Sequence, residues 1–324
     1  MLIFSNNSKK AYINISIFVS IIFSLLVGSG VYGFGNDWYA AYFKSNLDWN
    51  HLYRDQLGWR ISTLTIFGSH VGVYVTSFIL SLSTGFLLGS ILSLKKIKSN
   101  YYFALIFIMA IHTWPVIMST SNAMRQGLSM SFIFLFMSSY IEDRKLLGLI
   151  FLIFAVFTHT AGPFYFIIYF TMLFLLYVNR FFEGDFPLQL VYLAVSIVIS
   201  ILIFFLLNIY SPPLEGGSRI IQGDFRLPFL MINTSYIIFF TYNFKMLKNN
   251  PVNIYLYIFS FIALVLLFLG YNWQYERFCM MMLIPYILIF GFYLNKTYSI
   301  IFWFINFGLL LSLTFYTGMY ASLK

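Results

Sequence analysis

The sequence predicts an all-α polytopic membrane protein with about 11 transmembrane helices, and three observations carry this. Sixty per cent of the 324 residues are hydrophobic and only 9% are charged, against roughly 25% charged in a soluble domain. The mean hydropathy is +0.84. The apolar runs are continuous and match one crossing of roughly 20 residues, which favours helices over the alternating pattern of a barrel. A single integral membrane domain over 1–324 is expected.

In chain order, apolar runs predict helices near 11–32, 71–94, 101–119, 125–141, 146–161, 163–179, 188–209, 229–243, 254–270, 278–294 and 299–320. The first follows Lys9 and Lys10. It is longer than the roughly 7–15 residues of a signal-peptide core and no A-x-A site follows it, so it reads as a membrane anchor. Residues 61–94 carry no charge over a length too great for one helix, and Gly68-Ser69-His70 is the natural break. Residues 33–70 then form an outer amphipathic or re-entrant segment. Its aromatics include Trp38, Tyr39, Tyr42 and Phe43 at helical spacing, suited to the membrane interface and, for a few, to stacking on sugars.

The run from 101 is interrupted by His112-Thr113-Trp114-Pro115 and by Ser119-Thr120-Ser121-Asn122. Such breaks are tolerated at membrane depth where they line a cavity or pack on protein. Residues 146–178 are uncharged, with a turn at His159-Thr160-Ala161-Gly162-Pro163. Two helices so short leave that turn below the outer surface, with His159 at the rim of a recess. Residues 210–228 carry Arg219 and Arg226 between turn residues and read as an outer loop over a cavity.

Charge gives orientation. With Lys9 and Lys10 inside, the inner segments also hold Lys95, Lys96, Lys98, Arg144, Lys145, Arg180, Lys245, Lys248 and Lys296. The outer ones hold Lys44, Arg54, Arg60, Arg125, Arg219, Arg226, Arg277 and Lys324. Lysine dominates inside, as topology requires. Arginine dominates outside, against that rule, and its rigid fork of donors matches phosphate and carboxylate. An outward-facing anion site follows; pairing with local acids or lipid headgroups is the structural alternative. The net charge of +9 is spread in small groups between apolar runs, so no nucleic-acid partner is expected. Cys279 lies in an apolar run and reads as a packing residue.

There is no phosphate-binding glycine loop, no H-E-x-x-H, no G-x-S-x-G and no metal-ligand spacing among His51, His70, His112 and His159. No cofactor and no metal are expected. The chemistry-bearing residues gather on the outer side: Asp37, Asp55, Asn122, Arg125, His159 and Glu276-Arg277. Arg125 opens a helix, where a positive charge is unfavourable unless an anion joins it or an acid such as Asp37 or Glu276 pairs with it. His159 closes another helix.

Three segments resemble the EpsG/Wzy-type polysaccharide polymerases of bacterial surface-glycan synthesis. The first, Gly35-Asn36-Asp37-Trp38-Tyr39-Ala40-Ala41-Tyr42-Phe43, is similar to the family's glycine–aspartate–tyrosine pattern after the first helix. The second runs from Asn122-Ala123-Met124-Arg125-Gln126-Gly127-Leu128 through Ser138-Ser139-Tyr140 and Arg144-Lys145 to Phe157-Thr158-His159-Thr160-Ala161. It resembles the family's arginine–glutamine helix, short basic inner turn and histidine near the next helix end. The third is Tyr275-Glu276-Arg277-Phe278. Where family members carry a Glu-Pro-Gly-like stretch, this chain has Asp55-Gln56-Leu57-Gly58-Trp59-Arg60.

The resemblance implies a glycosyltransferase-C-like fold and a metal-independent glycosyltransferase in the bacterial inner membrane. Its site would face the periplasm or outside. The partner it implies is an undecaprenyl-pyrophosphate-linked oligosaccharide in the lipid bilayer, with a chain-length regulator as a further one. An acceptor hydroxyl attacks the anomeric carbon of the growing chain and lipid pyrophosphate leaves. Arg125, with Arg60, Arg226 or Arg277, suits the developing pyrophosphate charge. His159 is the first choice for the base and Asp37 the second. Arg54, Arg219, Glu276, Asn122, Gln126, Asp55 and Tyr39 complete the candidate substrate contacts. A flippase or transporter is the alternative outside enzymes, a glycan ligase the alternative with the same site. A membrane O-acyltransferase needs a donor route from the inside, and no polar inner cavity is expected to provide one.

Overall fold

The computed structural model describes residues 6–32, 71–94, 99–121, 123–159, 161–182, 184–210, 226–269, 273–293 and 305–310. The described residues are helical with short turns, and no strand occurs among them. They fall into two compact units, 1–162 with 291–324, and 163–290.

Unit 1 contains α1 (Asn6–Gly28), α2 (Val71–Leu94), α3 (Asn100–Ile111), α4 (Trp114–Ser121), α5 (Met124–Ile141) and α6 (Lys145–Thr158). Its burial pattern is that of a membrane protein. On α1, Ser16, Ser20 and Ser24 face inward, while Ile17, Phe18, Ile22 and Leu25 are exposed. On α2, Thr76, Ser77, Ser81, Ser83 and Thr84 are buried. Lipid is as apolar as leucine, so helices associate through small polar residues that let backbones approach. Gly28 and Gly85 show how near: a Cβ on Gly28 would overlap the Tyr74 ring, and one on Gly85 would overlap the Ser16 hydroxyl. Helix serines return their hydroxyl protons to carbonyls one turn back, as Ser16 does to Tyr12 O at 2.8 Å.

The predicted break at 112–115 is a bend of 62° between α3 and α4. Its chemistry is local. Thr113 Oγ1 donates to Ala110 O at 2.7 Å. Pro115 sits in the first turn of α4, where a missing N–H leaves no bond unmade. His112 Nδ1 lies 2.7 Å from Ile108 O, so it carries the proton; Nε2 then accepts from Tyr32 OH at 2.8 Å. The end of α1 is thereby tied to the bend.

Unit 2 contains α7 (Gly162–Val178), whose first residue closes unit 1, then α8 (Asp185–Tyr210) and α9 (Arg226–Tyr242). The short α10 (Phe244–Leu247) leads into α11 (Pro251–Leu269), α12 (Trp273–Met280) and α13 (Leu283–Tyr293). α9 and α11 run antiparallel: Arg226 meets Phe268, and Tyr236 donates to Asn253 Oδ1 at 3.1 Å. Aromatics fill the core, with Phe278 stacked on Tyr165 and on Phe259. Cys279 is buried there and points its thiol at Ala263 O, 3.6 Å away.

Among the described residues, four helices are long and apolar enough to cross a membrane: Lys9–Gly28, Val71–Leu94, Asp185–Ile209 and Pro251–Leu269; the bent pair adds a fifth. The described residues thus show four or five of the 11 spans expected, and several other apolar runs form shorter helices. α6 has 14 residues, about 21 Å at 1.5 Å per residue, against a hydrocarbon core of about 30 Å. The run at 278–294 divides between α12 and α13. The helix proposed from 71 begins at Val71; the segments 33–70 and 211–225, and most of 299–320, lie outside the described residues.

Candidate functional site

Of the candidate residues, Arg125, Gln126, His159, Arg226, Glu276 and Arg277 are described. Asp37, Tyr39, Arg54, Asp55, Arg60, Asn122 and Arg219 lie outside the described residues.

In unit 1 the site end is built by α4, α5 and α6. The chain leaves α4, Ala123 N–H bonds Met118 O at 2.9 Å, and α5 begins at Met124 with no side-chain cap. Gly127 lies on the α4 backbone, where a Cβ would overlap the Ser119 carbonyl oxygen. This closeness presses the turn bearing Arg125 and Gln126 against the bent helix. Gln126 is buried, and Arg125 is half-buried. α5 and α6 form an antiparallel pair, joined where Ser129 Oγ donates to Ala155 O at 3.1 Å. Arg125 lies four residues before that bond and His159 four after it. Each is therefore about 6 Å further along, at the same end of the pair.

His159 ends α6 in an extended conformation, φ −144° and ψ 148°. Its carbonyl accepts Gly162 N–H at 2.8 Å, and its Nδ1 accepts Ala161 N–H at 3.1 Å. A Cβ on Gly162 would overlap Val156 O, so this turn requires glycine there. The Nδ1 bond assigns the tautomer: in the neutral ring the proton sits on Nε2. His159 in this conformation presents a donor.

In unit 2 the candidate residues also collect at one end. Arg226 opens α9 and donates to Phe268 O at 3.1 Å, in the last turn of α11. That is a favourable place for a cation, because the carbonyls there carry the negative end of the helix dipole. Glu276 and Arg277 lie half-buried on α12 between two anchors. Tyr275 OH donates to Asn208 Oδ1 at 2.6 Å, holding α12 to the end of α8, and Phe278 is stacked in the core.

The opposite ends of both units carry lysine. In unit 1, Lys9 pairs with Glu142 at 2.8 Å, and Lys145 lies near Asp143 at 3.4 Å. In unit 2, Lys248 pairs with Asp185 at 2.7 Å, while Asn179, next to Arg180, donates to Lys248 O at 2.6 Å. The described outer-side arginines are thus at the end opposite the lysines within each unit, while Arg144 and Arg180 lie with the lysines.

A mostly apolar cavity lies at the lysine end of unit 1, with a volume of about 280 Å³ and with Lys9, Glu142 and Arg144 in its lining. The apolar runs hid it, because its polar atoms come from three chain segments far apart in sequence. The Tyr32–His112 and Tyr275–Asn208 pairs were likewise unmarked; the only sequence signal was a polar residue within or beside an apolar run.

No protein-family model, no curated protein and no solved structure matches this chain. The fold therefore defines a class, an all-helical protein with several helices fit to span a membrane, and nothing narrower.

Proposed function

We propose that this protein is a metal-independent membrane glycosyltransferase of the bacterial inner membrane. It polymerises undecaprenyl-pyrophosphate-linked repeat units at the outer face, forming a glycosidic bond and releasing lipid pyrophosphate. The observation that carries this reading is the placement of Arg125 and His159 at one end of the α5–α6 pair, with the lysine-bearing turn at the other. The family resemblance supports the substrate class. Arg125 stabilises charge developing on the leaving pyrophosphate. His159, protonated at Nε2, donates a hydrogen bond to the same group. Asp37, the other candidate base, takes the acceptor's hydroxyl proton.

A membrane O-acyltransferase needs a polar donor route from the inside, and the cavity at the lysine end is mostly apolar. Its carboxylate, Glu142, is committed to Lys9 at 2.8 Å, to Arg144 at 3.5 Å and to the Ser90 hydroxyl at 3.0 Å. Both of its oxygens are engaged by these partners and neither is aimed at an incoming hydroxyl, which favours the polymerase reading.

Deletion and complementation test it. A strain lacking the protein should carry surface glycan lipid capped with at most one repeat unit. The unaltered gene should restore long chains; Arg125→Ala and His159→Ala should not, while still inserting in the membrane. Long chains in the deletion strain would overturn the function; long chains in both variants would overturn only the site.

A further inference from the structure

The cavity at the lysine end of unit 1 has neither Arg125 nor His159 in its lining. Glu142, just beyond α5, is 17 residues from Arg125, which places the two about 25 Å apart along the helix axis. We propose that this cavity binds an anionic phospholipid, with the headgroup phosphate on Lys9 and Arg144 and one acyl chain against Ile13, Phe86 and Leu147.

Charge is the first argument. Lys9 and Arg144 supply two positive charges and Glu142 one negative charge, so the lining is net +1 and matches a phosphodiester. Exposure is the second. The Lys9 and Arg144 side chains are 41% and 61% exposed, and that of Glu142 is 20% exposed. The carboxylate is recessed and the cations lean outward, so an arriving anion meets them first. Donor capacity is the third. One ammonium proton of Lys9 goes to Glu142, and the guanidinium faces Glu142 through Nε. The remaining ammonium protons and the terminal guanidinium nitrogens suit phosphate oxygens.

The arrangement is fixed from beneath. Ser90 donates to Glu142 and shares a 2.7 Å hydrogen bond with Ser138, so the carboxylate that positions both cations is itself held. The remaining wall is apolar, from Ile13, Phe86 and Leu147. A free phosphate would leave that wall unused. About 280 Å³ is just under the range of a drug-sized ligand's pocket, and holds a phosphate with the upper part of one chain. Basic pockets between membrane helices take anionic headgroups on these terms.

Native mass spectrometry of the full-length protein, stripped of lipid in a neutral detergent, tests the proposal. Palmitoyl-oleoyl phosphatidylglycerol should be retained about tenfold or more tightly than the matching phosphatidylcholine. Excess inorganic phosphate should not displace it. The variant Lys9→Gln with Arg144→Gln should lose this preference, and Lys9→Arg should keep it. Gly89→Leu tests the apolar side without touching a charge. A Cβ at Gly89 makes only ordinary contacts, the nearest at 3.7 Å, so the larger chain enters the cavity and should weaken retention. Equal retention of the two lipids by the unaltered protein would overturn the proposal. So would undiminished phosphatidylglycerol binding in either folded variant, or displacement by phosphate. If the double variant does not fold, Gly89→Leu and the comparison of the two lipids decide.

Discussion

A Cβ on Gly127 would overlap the Ser119 carbonyl oxygen, which is backbone and has no rotamer to retreat into. Gly127→Ala should therefore push α5 from α4 and cost about 1–3 kcal/mol, as overpacking does. Gly89→Ala should do the reverse: its Cβ meets nothing nearer than 3.7 Å, and alanine raises helix stability by about 0.5–1 kcal/mol. Thermal unfolding in detergent should show midpoints moving in opposite directions. His159 gives a sharper residue-level test. Its Nδ1 accepts Ala161 N–H, so the neutral ring acts as a donor through Nε2. Glutamine keeps a side-chain N–H donor but has no titrating nitrogen. His159→Gln should retain about a tenth of the polymerising activity or more, while His159→Ala falls by about 100-fold, the usual worth of one donor to a developing oxyanion. Equal loss in both would instead assign His159 as the base.

At the scale of elements, the bend between α3 and α4 is held by side chains that reach it from α1 and the turn that follows it. Tyr32 donates to His112 Nε2, and Phe23 meets the His112 ring edge-on at 5.5 Å between centroids. A double-mutant cycle of Tyr32→Phe with His112→Ala should give a coupling of about 1 kcal/mol in unfolding free energy. Additive effects would mean that α1 and the bend are independent. Much at this scale was legible beforehand. The helix from Val71, the break at His112-Thr113 and the α5–α6 pair all follow from polar or proline residues punctuating long apolar runs. The partner of the break was not legible. Tyr32 is 80 residues from His112, and no local pattern distinguishes a tyrosine that donates to a distant histidine from one in an aromatic belt. Helix lengths were not legible either, because apolarity sets where a helix lies and packing sets how long it runs. α6 stops at Thr158, where His159 takes an extended conformation and turns the chain on Gly162.

For the whole molecule, the division of charge was the most informative sequence feature. Arg125 in unit 1 and Arg226 and Arg277 in unit 2 lie at the ends opposite the lysines, which Arg144 and Arg180 join. The cluster of Lys9, Ser90 and Glu142 at the lysine end of unit 1 escaped the same reading, because these residues become neighbours only when α1, α2 and α5 pack. The two ends suggest separate work: chemistry where Arg125 and His159 lie, and lipid contact where Lys9 and Arg144 lie. The central claim is that this chain alone joins lipid-linked repeat units. Purified protein in liposomes, given an undecaprenyl-pyrophosphate-linked repeat unit, should yield a ladder of chains on a gel with release of lipid pyrophosphate and no added metal. The Arg125→Ala protein should leave the single units unjoined. Single units left intact by the unaltered protein, or a ladder from Arg125→Ala equal to its own, would contradict the account.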